Sequence, residues 1–177
     1  MPFTPIHMGI GLAAKAAASR HFSIVVFCVT QILLDVEVLW HLIRRDPPLH
    51  RSSHTYLGAS VVVVGLTIVG KPVSQWIKAI WNRIAVKCRD ADLTINTETT
   101  WFASFAGAAF GAYSHILMDS LFHGDIEPLQ PWSSVNRLCG VINPHVAEMG
   151  CIFLGMVGLA WFLWTERKKR KTTPIEH

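Results

Sequence analysis

The sequence predicts an all-α protein, a polytopic membrane helix bundle with four long transmembrane helices and a short N-terminal helix that we also expect to cross. The first observation is composition, because 51% of the 177 residues are hydrophobic and 16% are charged. A disordered chain would hold fewer apolar and more charged residues. The second observation is that the apolar residues form long runs, and about 20 residues at about 1.5 Å each span the ~30 Å hydrocarbon core of a bilayer.

Five segments account for the predicted helices. The short N-terminal segment, 5–19, opens with a Thr-Pro pair, which is typical of a helix start, and is rich in Ala and Gly. The second long run is short for a span unless it begins near Ser52 or continues past Lys71. The amphipathic stretch 73–86 is either a helix lying on the inner leaflet or a continuation of that span. The four long runs are residues 22–43, 55–70, 101–122 and 146–165.

Lysine and arginine residues predict the orientation, because they favour the cytoplasmic side of a membrane. Residues 1–166 form the predicted membrane domain, and the basic tail 167–177 places the C-terminus in the cytoplasm. When the predicted spans are counted back from this tail, the connection 123–145 lies outside and the basic connection 71–100 lies inside. The N-terminus is then external if the first helix crosses. The exception is the outer connection 44–54, with Arg44, Arg45 and Arg51. The residues of a predicted inner aromatic belt are Trp76, Trp81, Trp101, Trp161 and Trp164.

Composition also argues against two other classes of protein. The net charge of +4 comes largely from the C-terminal tail, so there is no basic face for a nucleic acid and we expect no nucleic-acid partner. The cysteines have no C-x-x-C or zinc-ribbon spacing, which argues against a disulfide scaffold.

Ionisable side chains interrupt the apolar runs, where each costs about 2.5–3.5 kcal/mol at the centre of a span. His115 and Asp119 are followed by His123, and this i, i+4, i+8 spacing places the three on one helical stripe. The predicted orientation brings these groups to the outer side, with His115 about 12 Å inside the bilayer. The orientation is predicted from Lys and Arg residues alone, yet it places these His and carboxylate side chains on the same side of the membrane. We therefore predict that they share a pocket. The other such groups on that side are His7, Asp35, Glu37, His50, His54 and Asp125.

Imidazole and carboxylate groups are ligands for zinc, manganese and iron. A catalytic metal lowers the pKa of bound water toward about 7 and so supplies a nucleophile. More than four candidate ligands would suit two metals, or one metal whose ligands are held by further residues. The alternatives are that His115 and Asp119 form a structural pair between helices, and that His50 and His54 are ordinary loop residues.

Short motifs from the N-terminus to about residue 140 resemble the bacterial membrane-bound metal-dependent hydrolase family, whose members are small polytopic inner-membrane proteins. The most specific are S-H-x-x-x-D, with His115 and Asp119, and H-R-x-x-H, with His50 and His54. Leu34 stands where many relatives have Pro, and the loop histidines are four rather than five residues apart. The resemblance implies a metal held by His and Asp side chains. The other motifs are M-P-F-T-P-I-H, L-L-D-V-E and H-G-D-I-E-P-L-Q-P-W-S.

We therefore predict an integral metal-dependent hydrolase of a bacterial inner membrane, with zinc as the first choice of metal and manganese or iron as others. The depth of the site favours a small, lipid-linked or amphiphilic phosphate or ester as substrate, with membrane lipids as further partners. Arg51 would hold a phosphate. The predicted metal ligands are His7, Asp35, His54, His115, Asp119, His123 and Asp125, and the predicted catalytic residues are Glu37, His50 and Arg51.

Two other hypotheses use the same residues. In the first, the protein is an ion or metal transporter, which would need polar groups that continue to the inner face. In the second, it is a non-catalytic membrane protein whose polar cluster only locks the bundle together.

Overall fold

The computed structural model describes residues 4–88, 94–95 and 97–172. In this part of the chain it is all-helical, without a β-strand, which confirms the all-α part of the predicted fold class. Residues 167–172, predicted as the start of the basic tail, continue the last helix, and residues 173–177 lie outside the described residues. The helices are α1 (Thr4–Ala18), α2 (Ile24–Arg44), α3 (Tyr56–Lys87), α4 (Trp101–Phe122) and α5 (Pro144–Thr172), with 3-10 turns at Ser19–His21 and Ser52–His54.

The helices run alternately up and down the bundle. The start of α2 meets the start of α4, where the Ser23 amide donates to the Ala103 carbonyl at 3.1 Å, so these two helices are parallel. Helix α3 is antiparallel to α4, because Ser60 Oγ contacts Tyr113 Oη at 2.9 Å whereas Ser104 Oγ donates to the Leu66 carbonyl at 3.2 Å. The start of α1, the end of α2, the start of α3 and the end of α4 therefore meet at one end of the bundle, called the site end below.

Three of the described helices are long and apolar enough to cross a membrane: Ile24–Arg44, Tyr56–Lys87 and Pro144–Thr165. Helix α4, which we predicted as a fourth span, is not among them, and its crossing stays a prediction. Half of its 22 residues are buried, in pairs that recur along its whole length, and many of them are Gly, Ala or Ser. A helix enclosed by its neighbours needs fewer apolar side chains than one that faces lipid. The crossing of α1, which has 15 residues, also stays a prediction.

Helix α3 resolves the alternatives for the stretch 73–86, which continues the second apolar run as one helix of 32 residues. Pro72 lies inside this helix without ending it. At about 1.5 Å per residue the helix is ~48 Å long, more than the ~30 Å hydrocarbon core. Its last turns therefore extend beyond the apolar layer.

Polar side chains lie inside the bundle beside its apolar core, and many large apolar side chains lie on its surface, which is unusual for a water-soluble protein. Gln31, Thr30 and Ser104 are fully buried, whereas Val61 and Val64 of α3 are more than 60% exposed. This arrangement fits a bundle whose surroundings are lipid. The predicted aromatic belt fits it too, since all its members are exposed and lie toward the end opposite the site end: Trp76, Trp81, Trp101, Trp161 and Trp164.

Small residues let the helices approach closely. A Cβ atom at Gly107 would lie 2.5 Å from the Ser23 carbonyl oxygen, and one at Gly111 would lie 3.1 Å from the Phe27 carbonyl oxygen. Both glycines are on the face of α4 that packs against α2, one turn apart, as in the G-x-x-x-G contacts of membrane helices. This contact sets the position of α2 relative to the polar residues of α4.

Candidate metal centre

Three elements deliver the side chains of one group to the site end. Asp35 comes from the second half of α2, His54 from the 3-10 turn before α3, and His115 and Asp119 from the last turns of α4. His54 and His115 are each 1% exposed and Asp119 is 4% exposed, so the group lies in the interior. We call Asp35, His54, His115 and Asp119 the inner cluster.

Asp119 is the focus of the inner cluster. Its Oδ2 atom lies 3.1 Å from His115 Nε2 and 3.7 Å from His54 Nε2. His115 Nε2 also lies 3.4 Å from Asp35 Oδ1. One ligand atom of each residue lies within 4.8 Å of the others, so the cluster could hold a metal ion.

His7, predicted as a ligand, lies beside the inner cluster. It is in the first turns of α1, is 2% exposed, and its Nδ1 atom is 3.8 Å from Asp119 Oδ1. Its ring centroid is 5.8 Å from that of His115. The structure therefore brings five of the predicted metal ligands to one place.

Buried histidine nitrogens without hydrogen-bond partners indicate that a cation would fit the inner cluster. His54 Nε2, His115 Nε2 and both ring nitrogens of His7 are buried without a hydrogen-bond partner among the described residues. A buried polar atom without a partner costs about 1–3 kcal/mol. Nitrogen and carboxylate oxygen donors are the ligand set of zinc, manganese and iron, and one such ion would satisfy several of these atoms together.

Glu37 lies behind His54, on the side away from Asp119. Its carboxylate accepts hydrogen bonds from Ser52 Oγ at 3.0 Å and from the Ser53 amide at 3.1 Å, and it lies 3.5 Å from His54 Nδ1. A carboxylate on the second nitrogen of a ligating His fixes its ring and its tautomer. The contacts of Glu37 thus match an orienting role; its predicted catalytic role stays a prediction.

Gln31 is a site residue that the sequence reasoning did not select. Its Oε1 atom is 2.5 Å from His115 Nδ1, and both side chains are buried. Because the amide oxygen can only accept, His115 donates its Nδ1–H to Gln31, and Nε2 is the nitrogen that would bind a cation held beside Asp35 and Asp119. The available signal was its spacing, since Gln31 and Asp35 are four residues apart on one face of α2.

His50, His123 and Asp125 form a second group next to the first, which we call the outer cluster. One ligand atom of each lies within 4.8 Å of the others. His50 Nδ1 lies 3.0 Å from Asp125 Oδ2, and the His50 ring packs against the rings of His123 and His54 at centroid distances of 4.5 and 4.9 Å. The predicted ligands and the predicted catalytic residue His50 therefore divide into two adjoining clusters.

The surroundings of three site residues outside the α-helices favour the protonation states that bind metals, which are neutral imidazole and ionised carboxylate. Burial lowers the pKa of His54, against the opposing effect of Glu37, and burial together with His50 lowers the pKa of His123. Both imidazoles are therefore mainly neutral at pH 7. Burial would raise the pKa of Asp125, but hydrogen bonds from His50 outweigh it and place that pKa below its usual value.

Arg51, predicted to hold a phosphate, is bound to the turn that follows α2. Its guanidinium pairs with the Asp46 carboxylate at 2.9 Å and donates to the Pro48 carbonyl at 3.0 Å. These contacts stabilise the turn, and the phosphate-binding role of Arg51 stays a prediction.

The fold and the site together define the class of this protein: in its described residues it is all-helical, with three helices long and apolar enough to cross a membrane and a buried His and Asp cluster that could hold a metal ion. The chain belongs to the family described as a domain of unknown function (DUF4184), whose match covers residues 1–177. No curated protein and no solved structure matches the chain.

Proposed function

We propose that the protein is an integral membrane metal-dependent hydrolase with a divalent cation, zinc in the first place, at the inner cluster. The observation that carries this proposal is the convergence on Asp119 of the buried Nε2 atoms of His54 and His115, which have no hydrogen-bond partner among the described residues. Asp35, His54, His115 and Asp119 would hold the cation, with His7 beside them. When bound, such a cation acts as a Lewis acid and makes water a nucleophile near neutral pH.

The other side chains prepare the site. Gln31 holds the tautomer of His115, and Glu37 holds the ring of His54, so both ligand nitrogens face the same point. Burial of the cluster keeps bulk water away, which strengthens every charge interaction within it.

The proposed substrate is a lipid-linked or amphiphilic phosphate or ester, and the surroundings of Asp35 support it. The Asp35 side chain is 30% exposed, whereas that of Asp119 is 6% exposed and those of His54 and His115 are 1% exposed, so the cluster opens along α2. Ile32 and Leu39 lie on the same face of α2 as Asp35 and are more than half exposed. An amphiphile lying in the bilayer would reach the cluster across this apolar face.

The transporter hypothesis needs mobile polar groups along the bundle. The buried hydroxyls of Thr30 and Ser120 instead donate to the carbonyls of Val26 and Ile116, one turn back in their own helices. These two hydroxyls are bonded within their own helices, so they do not contribute to a polar path along the bundle.

The test compares the wild-type chain with Asp119→Asn, both purified in detergent without chelators. We expect elemental analysis to show that wild type retains zinc or manganese and that the variant loses the metal of the inner cluster, because its amide is a poor ligand and carries no charge. The control is His145→Asn, since the His145 side chain is 89% exposed and lies outside both clusters.

Activity is the second part of the test. Metal-loaded wild type should release phosphate or fatty acid from a lipid phosphate monoester or a lipid ester in mixed micelles, and Asp119→Asn should not. Equal metal content in both proteins would refute the metal centre. Unfolding of Asp119→Asn at a much lower temperature, with no metal in wild type, would instead support the structural hypothesis.

A further inference from the structure

We propose that the outer cluster is a second divalent-cation site, with His50, His123 and Asp125 as its ligands. It is separate from the inner cluster and does not depend on whether the protein is a hydrolase. Its ligands are two imidazoles and one carboxylate, the donor set of zinc and manganese.

The geometry is close to that of a bound ion. One ligand atom from each of the three residues lies within 4.8 Å of the others. Ligands about 2.0–2.1 Å from a tetrahedral zinc ion lie about 3.4 Å from each other. The ligand atoms would therefore approach one another by at most about 1.4 Å when an ion binds.

The cluster is assembled from distant parts of the chain and held in place. His50 lies in the connection after α2, and its side chain is 4% exposed. The Asp125 carboxylate, after α4, accepts from His50 Nδ1 at 3.0 Å and from the Leu49 amide at 3.2 Å. The carboxylate is thus oriented before any ion binds.

A hydrogen bond between His50 and Asp125 does not by itself explain why the His123 side chain lies beside them. Its ring lies 4.5 Å from that of His50, at an angle of 32°, beside the same carboxylate. An imidazole binds a metal through one ring nitrogen, and two imidazoles beside one carboxylate make a donor set that suits a divalent cation.

His54 separates the two sites. Its Nε2 atom faces Asp119 and its Nδ1 atom faces Glu37, so both nitrogens are directed toward partners of the inner cluster. Only the ring of His54 packs against His50, at 4.9 Å. The outer site therefore has three protein ligands of its own, and the 37% exposed Asp125 side chain leaves it open to water or to a substrate oxygen.

The experiment measures zinc binding by the full chain in detergent. The protein is stripped with a chelator and then dialysed to equilibrium against a fixed micromolar concentration of Zn²⁺. We expect wild type to bind about two equivalents per chain and both His123→Ala and Asp125→Asn to bind about one. His145→Ala, at an exposed histidine of the same end of the bundle, is the matched control and should bind as wild type does.

Two variants are used because Asp125 also accepts a backbone hydrogen bond, so that its replacement could loosen the loop. Thermal unfolding in the presence of chelator shows whether each variant keeps the wild-type fold. The proposal is overturned if His123→Ala binds as much zinc as wild type does, whether wild type binds one equivalent or two.

Asp119→Asn separates this proposal from the proposed function. Loss of one equivalent in Asp119→Asn but none in His123→Ala would leave the inner centre standing and remove the outer site. Loss in His123→Ala but none in Asp119→Asn would support the outer site and remove the inner centre.

Discussion

At the scale of single residues, Asp119 shows how strongly the inner cluster is built around one position. Nitrogens of His7, His54 and His115 all lie within 4 Å of its two carboxylate oxygens. Of these contacts, His115 Nε2 at 3.1 Å is the one at hydrogen-bond distance, yet its geometry leaves that nitrogen without a partner. A cation at the centre is the species that would use all of these lone pairs together.

Gln31 provides a prediction at this scale. In Gln31→Leu, His115 loses the acceptor for its Nδ1–H, so we expect the ring to be free to turn and the zinc affinity of the inner cluster to fall about 10–100-fold. Competition with a chelating dye measures this affinity. Gln31→Glu keeps an acceptor in place and should bind zinc nearly as wild type does.

The conservative variant distinguishes positioning from packing. If Gln31→Leu and Gln31→Glu lose affinity equally, the amide serves the packing of the helices and the orienting role is wrong. If Gln31→Leu binds zinc as tightly as wild type does, the orienting role of Gln31 is also wrong.

At the scale of elements, α4 organises the bundle because its neighbours enclose it. Its buried residues recur in pairs along the helix, from Ala103 and Ser104 near its start to Asp119 and Ser120 near its end. This buried face of α4 therefore supplies both the contact with α2 and the centre of the inner cluster. Any displacement of α2 along the buried face moves Gln31 and Asp35 relative to His115.

Gly107→Leu tests this coupling. A Cβ atom there would lie 2.5 Å from the Ser23 carbonyl oxygen, so the larger side chain must push α2 away. Overpacking of this kind typically costs about 1–3 kcal/mol. We expect a lower unfolding temperature in detergent and weaker zinc binding.

Gly65→Leu is the control for this prediction, because a Cβ atom at Gly65 of α3 meets nothing within 4 Å. It should unfold and bind zinc as wild type does. An unchanged unfolding temperature for Gly107→Leu would mean that α2 and α4 do not approach as closely as described.

At the scale of the whole molecule, the alternating helices place the two exposed cysteines at opposite ends. Cys139 lies in the connection between α4 and α5, at the site end, and Cys88 lies just after α3, at the other end. Cys151 is buried and Cys28 is partly buried, so both are poorly placed to react. Labelling of these two exposed native cysteines can therefore determine how the protein is oriented in the membrane.

The predicted orientation places the site end outside the cell. A membrane-impermeant maleimide should therefore label Cys139 in intact cells and Cys88 only after the membrane is opened. Cys139→Ser should abolish the labelling of intact cells. Labelling of Cys88 in intact cells, with Cys139 protected, would invert the predicted orientation.

Much of the site was predictable because buried charge is costly in lipid. His115, Asp119 and Asp35 stand out in apolar runs, and the count of crossings places them on one side. The division into inner and outer clusters was not predictable, because it depends on which way the ring of His54 faces. The contacts of Arg51 with Asp46 depend in the same way on the shape of a turn.

The sequence by itself determined that this is an all-helical protein with long apolar helices, and that the His, Asp and Glu residues of the candidate site lie toward one end. Hydropathy and charge are sums over residues in order along the chain, so they can be read without a fold. The tertiary structure alone decided that α3 continues through Pro72, that Gln31 supports His115, and that two clusters adjoin at His54. Those features depend on distances between residues far apart in sequence, which are set by how closely the helices pack.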